Sequence, residues 1–446
     1  MENNFDTIVA IITPIAHGAV GIIRISGDKA YDIAQSIFSK PIKPKMINYG
    51  HIVSDNQKID EVILLPFKSP HSYTGEDVIE IQCHGSYVIL DEILNIIISK
   101  GARIAQKGEF TKRAFLNHRI DLSQAEAVLD IIESKSQKSA HNALNNLGGY
   151  LKQKIDIIKS DITELYSKII ASVDFPEDVN EVDNETVVTV CNDNISKIDD
   201  IINNSKSHDF IRDGISACLI GKPNVGKSSL FNALLNYNRA IVTDIAGTTR
   251  DTIKETLNID GYLVNFIDTA GIRNENISDK VEQIGIQNSI STIEESDIVL
   301  FLFEKNLSEI DKNLLEIAKN KKIIFIKTKS DIYPYESTDN DNITNIISVS
   351  SVTNEGINDL KCAILKVIKE FIPNDTNYTT NMRQISCLKA AKNHLQNVVE
   401  AVNFGDFCDL YSNDLKSAIM SLGEISGEVL TDTILDDIFS NFCIGK

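Results

Sequence analysis

At 446 residues the chain is about three times the length of a typical domain, and 42% hydrophobic with 24% charged residues is an ordinary globular composition. No apolar run approaches the ~18 residues a membrane-spanning helix needs, and a net charge of −19 excludes a protein that gathers nucleic acid through a general basic field. Any RNA contact is therefore expected to be local, and Lys107, Lys112, Arg113, His118 and Arg119 are the best candidates for it, although the plainer reading, a solvated surface run, is the favoured one. Residues 1–6 are acidic and lack a basic segment followed by an apolar core, so no secretory signal and a cytoplasmic location are expected, with no membrane association. The seven cysteines (83, 191, 218, 362, 387, 408 and 443) occur singly, which fits reduced thiols; all but Cys443 are expected to be small buried residues.

In chain order, residues 1–118 alternate strand-like runs (8–12, 20–25, 62–67, 78–82) with helical ones, which predicts an α+β domain. Residues 119–213 read as helical: Ala125, Val128, Leu129 and Ile132 form one stripe, Ile155, Ile158, Ile162, Leu165 and Ile169 another, and Gly148-Gly149 separates the two helices. Residues 214–372 alternate apolar runs (215–220, 264–267, 298–303, 323–326, 346–349) with helices, as in a doubly wound, mostly parallel sheet. Residues 373–446 are helical again. The predicted organisation is thus an α/β domain inserted into one helical domain that follows an α+β domain.

The strongest chemical signal is Gly221-Lys222-Pro223-Asn224-Val225-Gly226-Lys227-Ser228, a phosphate loop placed between a strand and the helix that starts near Ser229. Its glycines let backbone N–H groups converge on phosphates, Lys227 can reach the β- and γ-phosphates, and the Ser228 hydroxyl can bind Mg²⁺. Asp268-Thr269-Ala270-Gly271 follows the second strand and puts Asp268 beside the metal. Thr328-Lys329-Ser330-Asp331 follows the fourth, and Asp331 can accept the N1–H and exocyclic amine of guanine, a pairing adenine cannot reproduce. Most GTPases carry Asn where this chain has Thr328, so the amide that braces the base loop is missing and a lower nucleotide affinity is expected. Ser350-Ser351-Val352 resembles the weaker guanine-contacting loop. Between the first two motifs, Thr243-Asp244-Ile245-Ala246-Gly247-Thr248-Thr249-Arg250-Asp251 is placed as a switch loop whose Thr249 can complete the Mg²⁺ shell. Ile272 stands where signalling GTPases have a water-orienting Gln, and neither Arg250 nor Arg273 is an obvious arginine finger, so charge compensation for hydrolysis must come from elsewhere.

Gly-x-Pro-Asn-Val-Gly-Lys-Ser-Ser, Thr-Asp-Ile-Ala-Gly-Thr-Thr-Arg-Asp and Asp-Thr-Ala-Gly-Ile-Arg together resemble the MnmE (TrmE) family of tRNA-modification GTPases. The likeness extends over the whole chain. It includes Gly21-Ile22-Ile23-Arg24-Ile25-Ser26-Gly27, Tyr73-Thr74-Gly75-Glu76-Asp77-Val78-Ile79-Glu80, Gly108-Glu109-Phe110-Thr111-Lys112-Arg113-Ala114-Phe115-Leu116-Asn117 and the ending Phe442-Cys443-Ile444-Gly445-Lys446. The resemblance implies a homodimeric enzyme that, in a heterotetramer with the FAD-dependent MnmG (GidA), adds an aminomethyl or carboxymethylaminomethyl group to carbon 5 of the wobble uridine of certain tRNAs. It implies four segments: 1–118 for tetrahydrofolate binding and dimerisation, 119–213 and 373–446 as one helical domain, and 214–372 as the GTPase domain.

The one-carbon donor implied is a 5-formyl or 5,10-methylene tetrahydrofolate, with contacts that fall on Arg24, Glu80 and Lys446. Arg119 stands where the family has Lys, which keeps the charge but not the geometry. Potassium is implied as a hydrolysis cofactor beside GTP and Mg²⁺. Asn224 offers an amide oxygen for it, Thr243 and Ile245 offer carbonyls and Thr248 an oxygen, and a cation held there would act as an arginine finger does. Glu282 resembles the family's base that orients the attacking water. Cys443 is not a prenylation site, because Gly445 and Lys446 do not fit that signal; the family places this cysteine near the folate, as a nucleophile or a packing residue. The competing expectation is a ribosome-assembly or regulatory switch GTPase with no modification chemistry, which has no reason to bind folate.

Overall fold

The computed structural model describes residues 6–14, 18–222, 224–237, 255–267, 290–305, 307, 309–333, 345–372, 377–405, 408–429 and 432–446. Its contacts divide the chain into two compact units, Met1–Ile132 with Asn146–Ile198 and Ser386–Lys446, and Glu133–Asn145 with Asp199–Ile385.

In the first unit six strands, β1 (Ile8–Ile11), β2 (Val20–Ser26), β3 (Asn48–Ser54), β4 (Gln57–Phe67), β5 (Val78–His84) and β6 (Arg103–Ile104), form a sheet in the order β3-β4-β5-β2-β1-β6. Alternation sorts the side chains. Val9, Ile23, Ile25, Ile79 and Ile81 pack with Ile33 and Ile37 of α1 (Ala30–Ile37) and with Leu90, Ile93 and Ile97 of α2 (Tyr87–Ser99). Arg24 therefore projects to the opposite face, and the β2–β5 register sets it directly across from Glu80. β3 escapes the sequence pattern because it is polar and interrupted by Gly50. Its hairpin with β4 turns at Asp55 and Asn56, both with positive φ, as a two-residue loop requires.

The helices that follow are α3 (Glu109–Leu116), α4 (Leu122–Glu133), α5 (Gln137–Leu147) and α6 (Tyr150–Asp174). The Gly148-Gly149 break falls between α5 and α6, with Gly149 at φ +87°, and the stripe Ile155, Ile158, Ile162, Leu165, Ile169 is buried along its length. α6 packs along the helix Cys408–Ser426. No helix of the described residues is long and apolar enough to cross a membrane.

The second unit holds β7 (Ile215–Ile220), β8 (Glu255–Ile259), β9 (Tyr262–Phe266), β10 (Ile298–Phe303), β11 (Lys322–Lys327) and β12 (Ile347–Ser348), ordered β12-β11-β10-β7-β9-β8 and parallel except for the β8–β9 hairpin. β7 and β10 are covered on both sides, Ala217 and Leu219 facing one core and Cys218 and Ile220 the other, which is why they read as continuous apolar runs. From β7 the chain runs to β8 and β9 on one side and to β10 on the other. A crevice at the carboxyl ends of the strands follows from that reversal. The expected sequence of an α+β part, helical parts and a doubly wound sheet is thus the observed fold. The cysteine expectation needs one correction: Cys83, Cys191, Cys218 and Cys387 are buried but Cys362, on the outer face of a helix, is exposed.

Candidate functional sites

The phosphate loop leaves the carboxyl end of β7 and enters the helix α9, numbered after α7 (Asn184–Asn203) and α8 (Ser205–Asp213) and running Lys227–Tyr237. A Cβ on Gly221 would lie 2.4 Å from the Leu302 carbonyl oxygen, and Gly226 has φ +99°, so neither position accepts a side chain without strain. Asn224 sits at φ +61°. The Lys227 ammonium lies across the loop, 3.0 Å from the carbonyls of Gly221 and Lys222, and Ser228 and Ser229 follow in the first turn of α9.

Thr328 corrects an expectation. Its hydroxyl is buried and donates to the Val225 carbonyl at 2.7 Å, so the base loop is braced against the phosphate loop by a hydroxyl in place of the usual amide. Lys329, at φ +57°, donates to the Asn224 carbonyl at 3.0 Å. Asp331 stands exposed at the turn that follows, where the N–H groups of Ile332 and Tyr333 both bond the Lys329 carbonyl. Ser350 is fully buried and its hydroxyl accepts the N–H of Val352 and of Thr353, a self-contained turn beyond β12. Ser351 is half-buried and Val352 is 82% exposed. Thr243, Asp244, Ile245, Ala246, Gly247, Thr248, Thr249, Asp268, Thr269, Ala270, Gly271 and Glu282 lie outside the described residues. The β7–β9 pairing continues as far as Ile267, whose N–H bonds the Ala217 carbonyl at 3.0 Å.

The second site is on the sheet of the first unit. Arg24 is buried, and its Nε and Nη2 donate to Glu80 Oε1 at 2.9 and 2.8 Å. Its guanidinium carbon lies 4.6 Å from the ring centre of Tyr73 and 5.5 Å from that of Phe110. The remaining Nη1 is buried and has no hydrogen-bond partner among the described residues. Arg119 is exposed, stacks over the same Tyr73 ring at 5.4 Å and donates to the Tyr73 carbonyl.

The tail comes back to this place through backbone bonds: Gly108 N–H to the Cys443 carbonyl (3.3 Å), Phe110 N–H to the Lys446 carbonyl (3.1 Å), and a bridge between Lys107 and Ile444. Gly445, at φ +100°, passes so close to β1 that a Cβ would lie 2.8 Å from the Ile11 carbonyl oxygen. Burial pushes the Lys446 amine down, and the Arg24 charge adds to the effect, while Glu80 and Cys443 oppose it. Arg24, Glu80 and Lys446 are thus brought into one electrostatic neighbourhood, with the exposed Cys443 in the same tail. Tyr73 and Phe110 lie inside motifs that carry the resemblance, but no spacing in the sequence marks them as the aromatic neighbours of Arg24.

Of the basic stretch proposed for RNA, Lys107, His118 and Arg119 are exposed, but Arg113 and Lys112 are taken up in ion pairs. Arg113 is 2% exposed, and its fork reaches the Asp6 carbonyl (2.7 Å), Asp6 Oδ1 (2.9 Å), Glu109 Oε1 (3.0 Å) and both oxygens of Glu76 (3.2 Å). Lys112 pairs with Asp436 at 2.6 Å. α3 packs against β1, with Phe110 beside Ile8 and Ala10, and the helix buries Phe110, Thr111, Arg113 and Ala114. Arg113→Met is expected to destabilise the fold by about 3–5 kcal/mol, because it strands carboxylates inside the protein; urea unfolding measures it, and an unchanged midpoint would remove the network from the stability of this unit. Burial raises the Glu109 carboxyl, but bonds from Arg103, the Gln106 N–H and Arg113 outweigh it and hold the group below its usual 4.5. A carboxyl depressed in the fold stabilises above its unfolded value, so this contribution is lost as pH falls below about 4.5.

A glycine-built loop between the central parallel strand and a helix, with a Thr-Lys-Ser-Asp loop bonded onto it, defines a P-loop nucleotide-binding protein of the α/β type. Two family models match the chain, "GTP-binding protein TrmE N-terminus" over residues 7–119 and "MnmE helical domain" over 122–443. The chain is 40% identical to the tRNA modification GTPase MnmE of Thermoanaerobacter pseudethanolicus over 99% of its length and 100% of that protein, and 40% identical to the MnmE of Streptococcus sanguinis over 100% of both. The MnmE of Finegoldia magna is 39% identical over 99% of this chain and 100% of its own. The chain belongs to the MnmE family of tRNA-modification GTPases.

Proposed function

We propose that the chain hydrolyses GTP and, with an FAD-dependent partner of the MnmG kind, modifies carbon 5 of the wobble uridine of tRNA with a one-carbon unit taken from a tetrahydrofolate. On this reading residues 214–372 are the GTPase domain, 1–118 hold the folate, 119–213 and 373–446 form the helical domain, and the active species is a cytoplasmic homodimer joined to its partner. Mg²⁺ is held by Ser228 and Thr249, and potassium by Asn224, Thr243, Ile245 and Thr248. Glu282 orients the attacking water, and Cys443 stands in the tail beside the folate.

The observation that carries the folate half is the state of Arg24. A surface charge flanking a strand would be solvated. This guanidinium is instead buried, held by Glu80, close to two aromatic rings, and left with one buried donor among the described residues unpaired. Burying such a donor costs about 1–3 kcal/mol, which a ligand acceptor recovers. A pterin offers a planar edge of ring nitrogens and a carbonyl to the Arg24–Glu80 pair, and its glutamate tail carries carboxylates that suit Arg119 and Lys446.

The test is calorimetric titration with 5-formyltetrahydrofolate. The full chain is expected to bind it, and deleting Lys446 is expected to weaken that binding at least tenfold while GTP affinity is kept, since the amine belongs to one site and not the other. A chain that ignores the folate would leave a switch or assembly GTPase as the better reading. A deletion that leaves binding intact would remove Lys446 from the site.

A further inference from the structure

Beyond the residues assigned above, the exit of β10 is bonded to the base loop at three successive positions. The Phe303 carbonyl accepts the Thr328 N–H at 2.9 Å, the Glu304 carboxylate forms an ion pair with the Lys329 ammonium, and the Lys305 ammonium lies 4.4 Å from the centre of the Tyr333 ring. These contacts bracket Asp331 on both sides in sequence. The middle one has a further reach, because the same Lys329 ammonium donates to the carbonyl of Asn224 in the phosphate loop at 3.0 Å. Asn224 is a non-glycine residue at φ +61° and Lys329 one at φ +57°, conformations that persist only where the surroundings hold them.

We infer that Glu304 is a positioning residue for the guanine nucleotide: it holds Lys329 in the geometry that ties the base loop to Asn224 of the phosphate loop. The inference rests on the nucleotide reading proposed above. An ammonium that bridges a carboxylate and a carbonyl is fixed at both ends. Without the carboxylate it is a solvated chain with four rotatable bonds, and ordering it becomes a cost charged to nucleotide binding. Glu304 and Lys329 are each about one-third exposed, 32% and 37%, so the effect is that of a partly screened, charge-assisted bond.

Glu304→Gln is expected to raise the dissociation constant for GDP and the KM for GTP about threefold to tenfold, and to move kcat less. The potassium concentration for half-maximal turnover is expected to rise with it, because Asn224 is held through Lys329; a purely structural role would not move that constant. Lys329→Met is expected to match the Gln variant, and the double variant to add little to either. Unfolding of the nucleotide-free protein checks that each variant folds. If GDP affinity in Glu304→Gln equals that of the wild type, or if the two substitutions are additive, the inference is overturned while the nucleotide reading stands. If the wild type itself binds no guanine nucleotide, the nucleotide reading fails first and this inference with it.

Discussion

Asp331→Asn is expected to weaken GTP binding by about 10²-fold or more, since it removes two hydrogen bonds to a charged acceptor that are worth about 1.5–3 kcal/mol each. The structure sets up the geometry. Thr328 and Lys329 are bonded to the carbonyls of Val225 and Asn224, and the Ile332 and Tyr333 N–H groups close a turn on the Lys329 carbonyl, so residue 331 rides on a loop that is fixed before the base arrives. A carboxylate there accepts from N1–H and from the exocyclic amine. An amide offers one acceptor and turns a donor toward a donor. The same substitution should improve binding of xanthosine triphosphate, whose C2 carbonyl accepts what the amide donates. Equal affinity for ATP and GTP in the wild type, or a variant indifferent to the change, would sink the guanine assignment. Because Thr328 braces the loop through its hydroxyl, the wild type is not expected to be the weak binder that a missing amide implied. Thr328→Val should be, as it leaves the Val225 carbonyl buried without its donor.

Turnover is expected to fall by about 10³-fold or more when potassium is replaced by sodium or choline at fixed ionic strength, the scale an arginine finger supplies. Ile272 cannot orient water as Gln does, and no arginine in the motifs is an obvious finger. A monovalent cation beside the phosphates would supply the missing positive charge without a reorienting side chain. Asn224 is the described member of its proposed cage: it is exposed, at the turn of the phosphate loop, with its own carbonyl already engaged by Lys329, which leaves the side-chain amide for the cation. Sodium is smaller and more tightly hydrated and should fit poorly. The assay compares steady-state phosphate release in the three salts for the wild type and for Asn224→Ala. Similar rates in all three would end the cation proposal, and full potassium stimulation in the variant would take Asn224 out of the cage.

The sequence by itself determined the elements whose periodicity and chemistry are local. The stripe Ile155, Ile158, Ile162, Leu165, Ile169 lines up on one face only as a helix, and the short apolar run Ile215–Ile220, bounded by Gly214 and Gly221, reads as a strand covered on both faces. The octet from Gly221 to Ser228 needs its glycines wherever it occurs, because Leu302 backbone and positive φ leave no room for a side chain. Whole-chain motifs likewise carried the family. Tertiary structure decided what no spacing encodes. Arg113 looked like a surface cation and is a buried hub, since α3 turns it onto Asp6 and Glu76, residues 107 and 37 positions away. Thr328 looked like a lost brace and is a working one, because only the fold brings it to the Val225 carbonyl 103 positions earlier. Arg24 and Glu80, 56 positions apart, become a pair through the β2–β5 register, and the aromatic neighbours and the returning tail around them exist only once the sheet has formed. A side chain's charge is written in the chain, but its solvation and its partners depend on distant segments, and these decide whether it is a surface group or a site.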